Sequence, residues 1–311
     1  MRVLVTGARG QLGHDLVDVL SGRRPAGAPA GAGRKEVRRT GSSDEVFGLD
    51  HRRLDVSDRH RVLAAFDALD PDVVVHCAAW TAVDACESDP DRAFAVNAMG
   101  TRHVADAARR HGAHVVYVST DYVFDGRSDR PYAEWDVPNP LSVYGRSKLG
   151  GERELDASST VVRTSWVCGY HGSNMVKTVL RLADQPGPLR FVDDQIGSPS
   201  FTADLAEALA LLARDRLPGV FHLTNHGVTS WYGFALAVLG AAGHDAGRVE
   251  PVATTDLDPP RPAPRPANSV LDNVAWRSLG MAPLPGWEEG LGRLVRALRA
   301  GAGAGAGVLT S

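Results

Sequence analysis

The amino-acid sequence predicts an α/β protein, with a doubly wound parallel sheet in its first half and a smaller mixed α/β lobe in its second. Two patterns carry that expectation. Through residue 164, short β-branched apolar runs alternate with stretches of helical periodicity, as in a parallel sheet covered on both faces by helices. Beyond residue 164 the alternation loosens, and proline and glycine clusters separate the pieces.

Val3–Thr6 is the first strand, and Gln11–Leu20 has the spacing of the helix that follows it. Val46–Leu49 reads as a second strand, Arg59–Leu69 as a helix and Val73–His76 as a third strand. Pro90–His111 is long and alanine-rich, which favours a helix because alanine loses least on entering one. Val115–Ser119 is the next strand, Leu141–Leu155 begins as a turn and becomes helical, and Val161–Arg163 is another β-branched run. In the second half, Asn174–Leu182, Thr202–Ala213, Trp231–Gly240 and Trp287–Leu298 read as helices, and Leu189–Val192 and Val220–Leu223 as extended segments. Pro259–Pro266 must loop, because proline lacks the amide donor that a helix needs. Ser21–Asp44, with almost no large apolar residue, and 301–311, which opens on alternating Gly and Ala, are expected to be disordered.

Bulk properties narrow the class. The chain has 311 residues, a formal net charge of −3, 43% hydrophobic and 23% charged residues. No basic excess suits nucleic acid or an anionic membrane surface, and no apolar run is long enough to span a bilayer. The chain enters its first strand with no charged-then-apolar leader, so a cytoplasmic location is expected. Cys77, Cys86 and Cys168 show no metal-ligand spacing, and their small number suits a reducing compartment.

The first strand runs into Gly7-Ala8-Arg9-Gly10-Gln11-Leu12-Gly13. A dinucleotide pyrophosphate needs backbone amides at close range, and glycines permit the approach because a Cβ would collide with phosphate oxygens. The helix behind the turn aims its amide-rich, partly positive end at the anion. Strand, glycine turn and helix together predict a Rossmann-type cofactor fold. Asp50, closing the second strand, suits the adenosine ribose hydroxyls and favours NADH, whereas Arg9, Arg52 and Arg53 suit a 2′-phosphate and favour NADPH. Both cofactors stay open. Asp55 with Val56 is placed for adenine, or Asp55 caps the next helix.

Tyr144 and Lys148 form Y-x-x-x-K, and residues four apart share a helix face. A nearby ammonium is expected to lower the phenol's pKa and let the tyrosine act as general acid to a reduced carbonyl. Lys148 also suits the nicotinamide ribose. Thr120, ending a strand, is placed to hold the same carbonyl oxygen.

These residues together resemble the extended short-chain dehydrogenase/reductases and, more narrowly, the dTDP-4-dehydrorhamnose reductase family. The likeness spans nearly the whole chain, through Gly7–Gly13, Ala78–Asp84, Asn97, Ser119–Gly126, Pro140–Glu152, Arg163–Val167, Asp194–Pro199 and Arg265-Pro266. It implies that Gly10, Gln11 and Leu12 hold the pyrophosphate, Asp50, Asp55 and Val56 the adenosine end, and that Ala79, Trp80 and Thr81 line the groove. It implies a catalytic set of Thr120, Tyr144 and Lys148, with Thr120, Asp121 and Trp166 facing the sugar and Arg265 on the diphosphate. The implied reaction is NADPH- or NADH-dependent reduction of the C4 ketone of a dTDP-4-keto-6-deoxyhexose. It gives dTDP-L-rhamnose or the product of a related natural-product sugar pathway. A 4-epimerase and a non-catalytic regulatory subunit of a methionine adenosyltransferase are the rival readings. A 4,6-dehydratase is disfavoured, because Tyr122 follows Thr120-Asp121 where that chemistry needs an acid. Residues 1–164 form the dinucleotide-binding domain, on which 202–213 packs back. Residues 165–300 form mainly the substrate lobe, and 301–311 a flexible tail. The protein is expected as a monomer or homodimer, without nucleic-acid or membrane partners. Some relatives hold magnesium between subunits through acidic residues. Here Asp15 and Asp193 would be the ligands, but they are read as solvated surface carboxylates and no metal is expected. The chain departs from the family's usual pattern in the longer 21–44 insert, in Cys168 where tyrosine commonly stands, in Ser200 for threonine and in Pro264 for a second arginine.

Overall fold

The computed structural model describes residues 1–29 and 44–306. The chain starts β1 (Arg2–Thr6), α1 (Gln11–Leu20), β2 (Glu45–Leu49), α2 (Arg59–Leu69) and β3 (Val73–His76). Next come α3 (Val83–Ser88), α4 (Pro90–Phe94), a π-helical turn (Ala95–Met99), α5 (Gly100–His111), β4 (His114–Thr120), α6 (Val143–Glu152) and β5 (Thr160–Thr164). The second half holds β6 (Val167–Cys168), α7 (Met175–Ala183), β7 (Leu189–Val192), β8 (Ile196–Gly197), β9 (Ser200–Phe201) and α8 (Thr202–Asp215). It ends with β10 (Gly219–His222), β11 (Thr229–Ser230), α9 (Trp231–Ala242), β12 (Val249–Val252), α10 (Val274–Ser278) and α11 (Trp287–Ala306).

The main sheet has six strands in the order β10-β5-β4-β3-β1-β2, every pair parallel. Side chains alternate across a strand, so each strand feeds two layers. Val3, Val5, Val73, Val75, Val116 and Val162 pack with α1 and α8 on one face. Leu4, Val74 and Val115 pack with α2 and α5 on the other. Burial on both sides explains why these strands read as continuous apolar runs. The predicted doubly wound α/β architecture is thus what the structure shows. Its sixth strand, β10, comes from the second half of the chain, and α8 from that half covers one face. A second core gathers α7, α9, α11 and the short pair β7–β12 around Phe234, Leu239 and Leu291.

Two expectations need correction. The helix read as ending at Leu298 runs on through the Gly-Ala repeat to Ala306; 307–311 lie outside the described residues. The insert read as wholly disordered is ordered at both ends. Arg293 Nε donates to the Gly27 carbonyl at 2.9 Å, and Asp44 pairs with Arg214 at 3.1 Å. Residues 30–43 lie outside the described part.

Candidate active site

The chain order reverses between β1 and β3, which lie side by side, and the crevice at the carboxyl ends of strands at such a reversal is where α/β sheets take ligands. Thr6, His76 and Thr120 end the strands there.

Gly7 adopts φ +68°, and a Cβ on it would lie 2.8 Å from the Ala78 amide nitrogen, so the turn needs glycine. A Cβ on Gly13 would overlap the Gly7 carbonyl, which fixes how closely α1 approaches the turn. Gly10 has one neighbour at such range, the Gly7 oxygen at 3.1 Å, leaving its outer side open. Gly10 also starts α1 with no side-chain cap, so the first-turn amides of Gln11 and Leu12 remain available. This cradle, which a Cβ would fill, fits a dinucleotide pyrophosphate.

Asp50 follows β2, and Arg9 Nε lies 3.0 Å from its Oδ2. The two residues that argued for opposite cofactors are therefore one ion pair beside the turn. Asp55 is not a helix cap; it accepts from Ser57 N at 3.0 Å, and Asp58 caps α2. Val56 is buried, and its carbonyl lies in hydrogen-bond range of His103 Nδ1 at 3.0 Å. Ala79, Trp80 and Thr81 form the loop after β3. Trp80 is clamped there: its amide donates to Asn97 Oδ1 at 2.8 Å and its carbonyl accepts from Asn97 Nδ2 at 3.1 Å. Asn97 sits in the π-helical turn and donates also to Ser147 on α6 at 2.9 Å. It thereby ties the groove loop to the helix that carries Tyr144 and Lys148.

Ser142 caps α6. Gly145 lets the helix meet the Tyr122 carbonyl, and Gly151 lets it meet the Asn97 carbonyl, where a Cβ would come to 2.6 Å. Thr120 donates to Asp121 Oδ1 at 3.0 Å, and its hydroxyl accepts from the Tyr122 amide at 3.2 Å. Burial pushes the Tyr144 phenol above its ordinary value, with Asp121 and Tyr122 adding to the effect. Burial also raises the Asp121 carboxyl to about 7, and its Oδ2 has no partner. Burial lowers Lys148 to about 7. Its Nζ donates to the Val118 carbonyl at 2.7 Å and lies 4.1 Å from the centre of the Tyr117 ring. The expectation that Lys148 lowers the phenol's pKa is corrected here: desolvation acts first, and the ammonium turns to a backbone carbonyl. The phenol is thus held as a proton donor.

Trp166 lies in the left-handed region at φ 47° and stacks on Trp231 with 3.5 Å between ring centres. One of its faces is therefore covered by the smaller lobe. The Arg265 side chain is largely buried. It forks onto Asp84 with bonds of 2.9 and 2.7 Å, anchoring the 259–266 loop to α3. Cys168, set against Phe201, belongs to the smaller lobe's core. Sequence reasoning missed Ser147 and Asp84 as partners. Ser147, three residues after Tyr144, was within reach of helical spacing, whereas nothing local pairs Asp84 with Arg265.

A strand–glycine-turn–helix cradle beside a buried Thr-Tyr-Lys set defines a nicotinamide-dependent short-chain oxidoreductase. The family model described as RmlD substrate binding domain matches residues 1–300. A dTDP-4-dehydrorhamnose reductase of Streptomyces griseus is 41% identical over 299 residues, 93% of this chain and 91% of that one. A dTDP-4-keto-6-deoxy-D-glucose reductase of Streptomyces niveus is 38% identical over 294 residues, 93% of this chain and 95% of that one. The crystal structure of a dTDP-4-dehydrorhamnose reductase from Bacillus anthracis in complex with NADP superposes with a TM-score of 0.83 at 36% identity, over 94% of this chain and 98% of that one. The chain belongs to the dTDP-4-dehydrorhamnose reductase family.

Proposed function

We propose that this protein reduces the C4 ketone of a dTDP-4-dehydro-6-deoxyhexose with NADPH or NADH, converting dTDP-4-dehydro-L-rhamnose to dTDP-L-rhamnose. The observation that carries the reading is the convergence of Thr120, Asp121, Tyr144 and Lys148 at the carboxyl edge of the sheet, beside the glycine cradle.

Gly7, Gly10, Gln11, Leu12 and Gly13 hold the cofactor's pyrophosphate, Asp50, Asp55 and Val56 its adenosine end, and Ala79, Trp80 and Thr81 the groove wall. When bound, the dihydronicotinamide supplies a hydride to the carbonyl carbon. Tyr144 donates its phenolic proton to the carbonyl oxygen, a role suited to a phenol that burial keeps protonated. Thr120 orients that oxygen, and Lys148, while charged, stabilises the negative charge that develops on it. Asp121 and Trp166 meet the sugar, and Arg265, released from Asp84, meets the diphosphate. The substrate lobe lies mainly within 165–300.

A second reading, reduction of the ketone without prior epimerisation, is favoured by the name of the Streptomyces niveus relative. Both place the protein in the cytoplasm as a monomer or homodimer acting on a nucleotide sugar. No described helix is long and apolar enough to cross a membrane. The test is incubation with dTDP-4-keto-6-deoxyglucose and each cofactor, with and without a 3,5-epimerase, and NMR of the product. Rhamnose formed only with the epimerase supports the first reading, and a 6-deoxyhexose formed without it supports the second. Interconversion without net loss of NAD(P)H overturns both in favour of an epimerase.

A further inference from the structure

The acidic pair that the family resemblance offers for magnesium does not fit. Asp15 is fully buried and accepts from Thr202, so it is not the solvated carboxylate read from the sequence. Asp193 is exposed and accepts from Ser230. Among the described residues, Asp15 instead clusters with His14 and His171, one donor atom of each lying within 4.8 Å of the others.

We propose that His14, Asp15 and His171 form a binding site, within one subunit, for a divalent transition ion of the zinc class. Three observations support it. The donor set is two imidazoles and one carboxylate, which suits zinc and its neighbours; magnesium and calcium demand oxygen ligands. Two of the donors are committed to nothing else: Asp15 Oδ1 and His14 Nδ1 are buried without a hydrogen-bond partner. Such orphans cost free energy unless something satisfies them. The three donor atoms already lie within 4.8 Å of one another, and the stacked imidazoles, with ring centres 3.5 Å apart and planes 20° from parallel, must turn their edges toward one point to share an ion. Donors around a tetrahedral zinc lie roughly 3.4 Å apart, within reach of such rotations.

The surrounding charges allow it. Asp18 Oδ2, 3.6 Å from His14 Nδ1, adds negative charge beside the cluster. The one ammonium acting on His171, that of Lys177, is spent on the Gly172 and Tyr170 carbonyls. The His14 side chain is 40% exposed, which gives an ion a way in. Its position suggests a consequence. His14 and Asp15 are on α1, just behind the glycine turn, and His171 is in the loop after β6. Gln11 already joins those two places by accepting from Gly169 N and Asn174 Nδ2, both at 2.9 Å. An ion there would staple the helix under the pyrophosphate to the smaller lobe.

The test is a titration of the full chain, stripped with chelator and dialysed, by zinc in competition with a chromophoric chelator and by cobalt with visible absorption as the readout. One equivalent of zinc per chain, cobalt d–d bands of a low-coordinate nitrogen–oxygen site, and no competition from millimolar magnesium are expected. His14→Ala, His171→Ala and the near-isosteric Asp15→Asn should each weaken binding by at least about 10-fold. His60→Ala, on the exposed start of α2, should leave it unchanged. Circular dichroism and thermal melts confirm that each variant is folded. Substoichiometric binding by wild type, equal binding by wild type and the folded His171→Ala variant, or displacement of zinc by magnesium would each overturn the site. None of these readouts depends on which sugar is reduced.

Discussion

Burial acts in opposite senses on the two residues one helical turn apart at the centre of the site. It favours the neutral form of both, so the Tyr144 phenol keeps its proton and the Lys148 ammonium tends to lose one. Tyr144→Phe should therefore cut kcat by between about 100- and 10,000-fold while cofactor affinity, read by fluorescence titration, stays near wild type. Retention of wild-type kcat would exclude the phenol as the proton donor. The sign for the lysine is fixed by the direction of its shift. A base lowered to about 7 is charged below that pH and neutral above it. With the charge assisting the developing alkoxide, kcat/KM should fall as pH rises through about 7, and the fall should vanish in Lys148→Met at a much lower plateau. A wild-type profile level from about pH 6 to about pH 9 would remove the lysine's charge from the mechanism. The glycine turn and the Tyr-Lys spacing were legible in the sequence because each is local, set by contiguous backbone or one turn of helix. The Arg265–Asp84 fork joins residues 181 positions apart, and the His14–His171 stack is equally remote from local pattern, so neither could be read.

Elements were legible to the extent that their periodicity is intrinsic. β3, α2 and α1 have the bounds the sequence predicts. Pro90–His111 was read as one helix; helical pattern runs through it, but the backbone widens to a π turn at Ala95–Met99. That widening places the Asn97 side chain against Trp80 and Ser147 instead of within the helix's own ladder. Asn97→Ala would leave both backbone groups of Trp80 without their partner. It should cost about 2–4 kcal/mol in urea denaturation and raise the KM for the cofactor more than that for the sugar nucleotide. An unchanged cofactor KM would mean that the clamp serves folding alone.

At the scale of the molecule, the last helix is tied by buried charge to α8, the second-half helix that covers one face of the main sheet. Arg293 Nη2 on α11 donates to both oxygens of Asp204 on α8, with the two side chains 6% and 3% exposed. Arg293→Met would strand a buried carboxylate and should cost about 3–5 kcal/mol, read as a loss of thermal and urea stability. Arg293→Met combined with Asp204→Leu should recover part of that loss, because the stranded charge is then gone. Equal stability of the single variant and wild type would show that water reaches the pair. The fold class was legible at this scale, but the sheet's membership was not. Val220–Leu223 reads as a strand from its residues, yet nothing in them says that it pairs with β5.

That pairing bears on how the protein is made. While a ribosome is still translating the stretch beyond β5, the emerging polypeptide has a sheet with one open edge and one oily side lacking α8. The face waits for α8, and the edge along β5 is not sealed until the β10 segment behind it has cleared the exit tunnel, so the newborn chain should lean on chaperones through that interval.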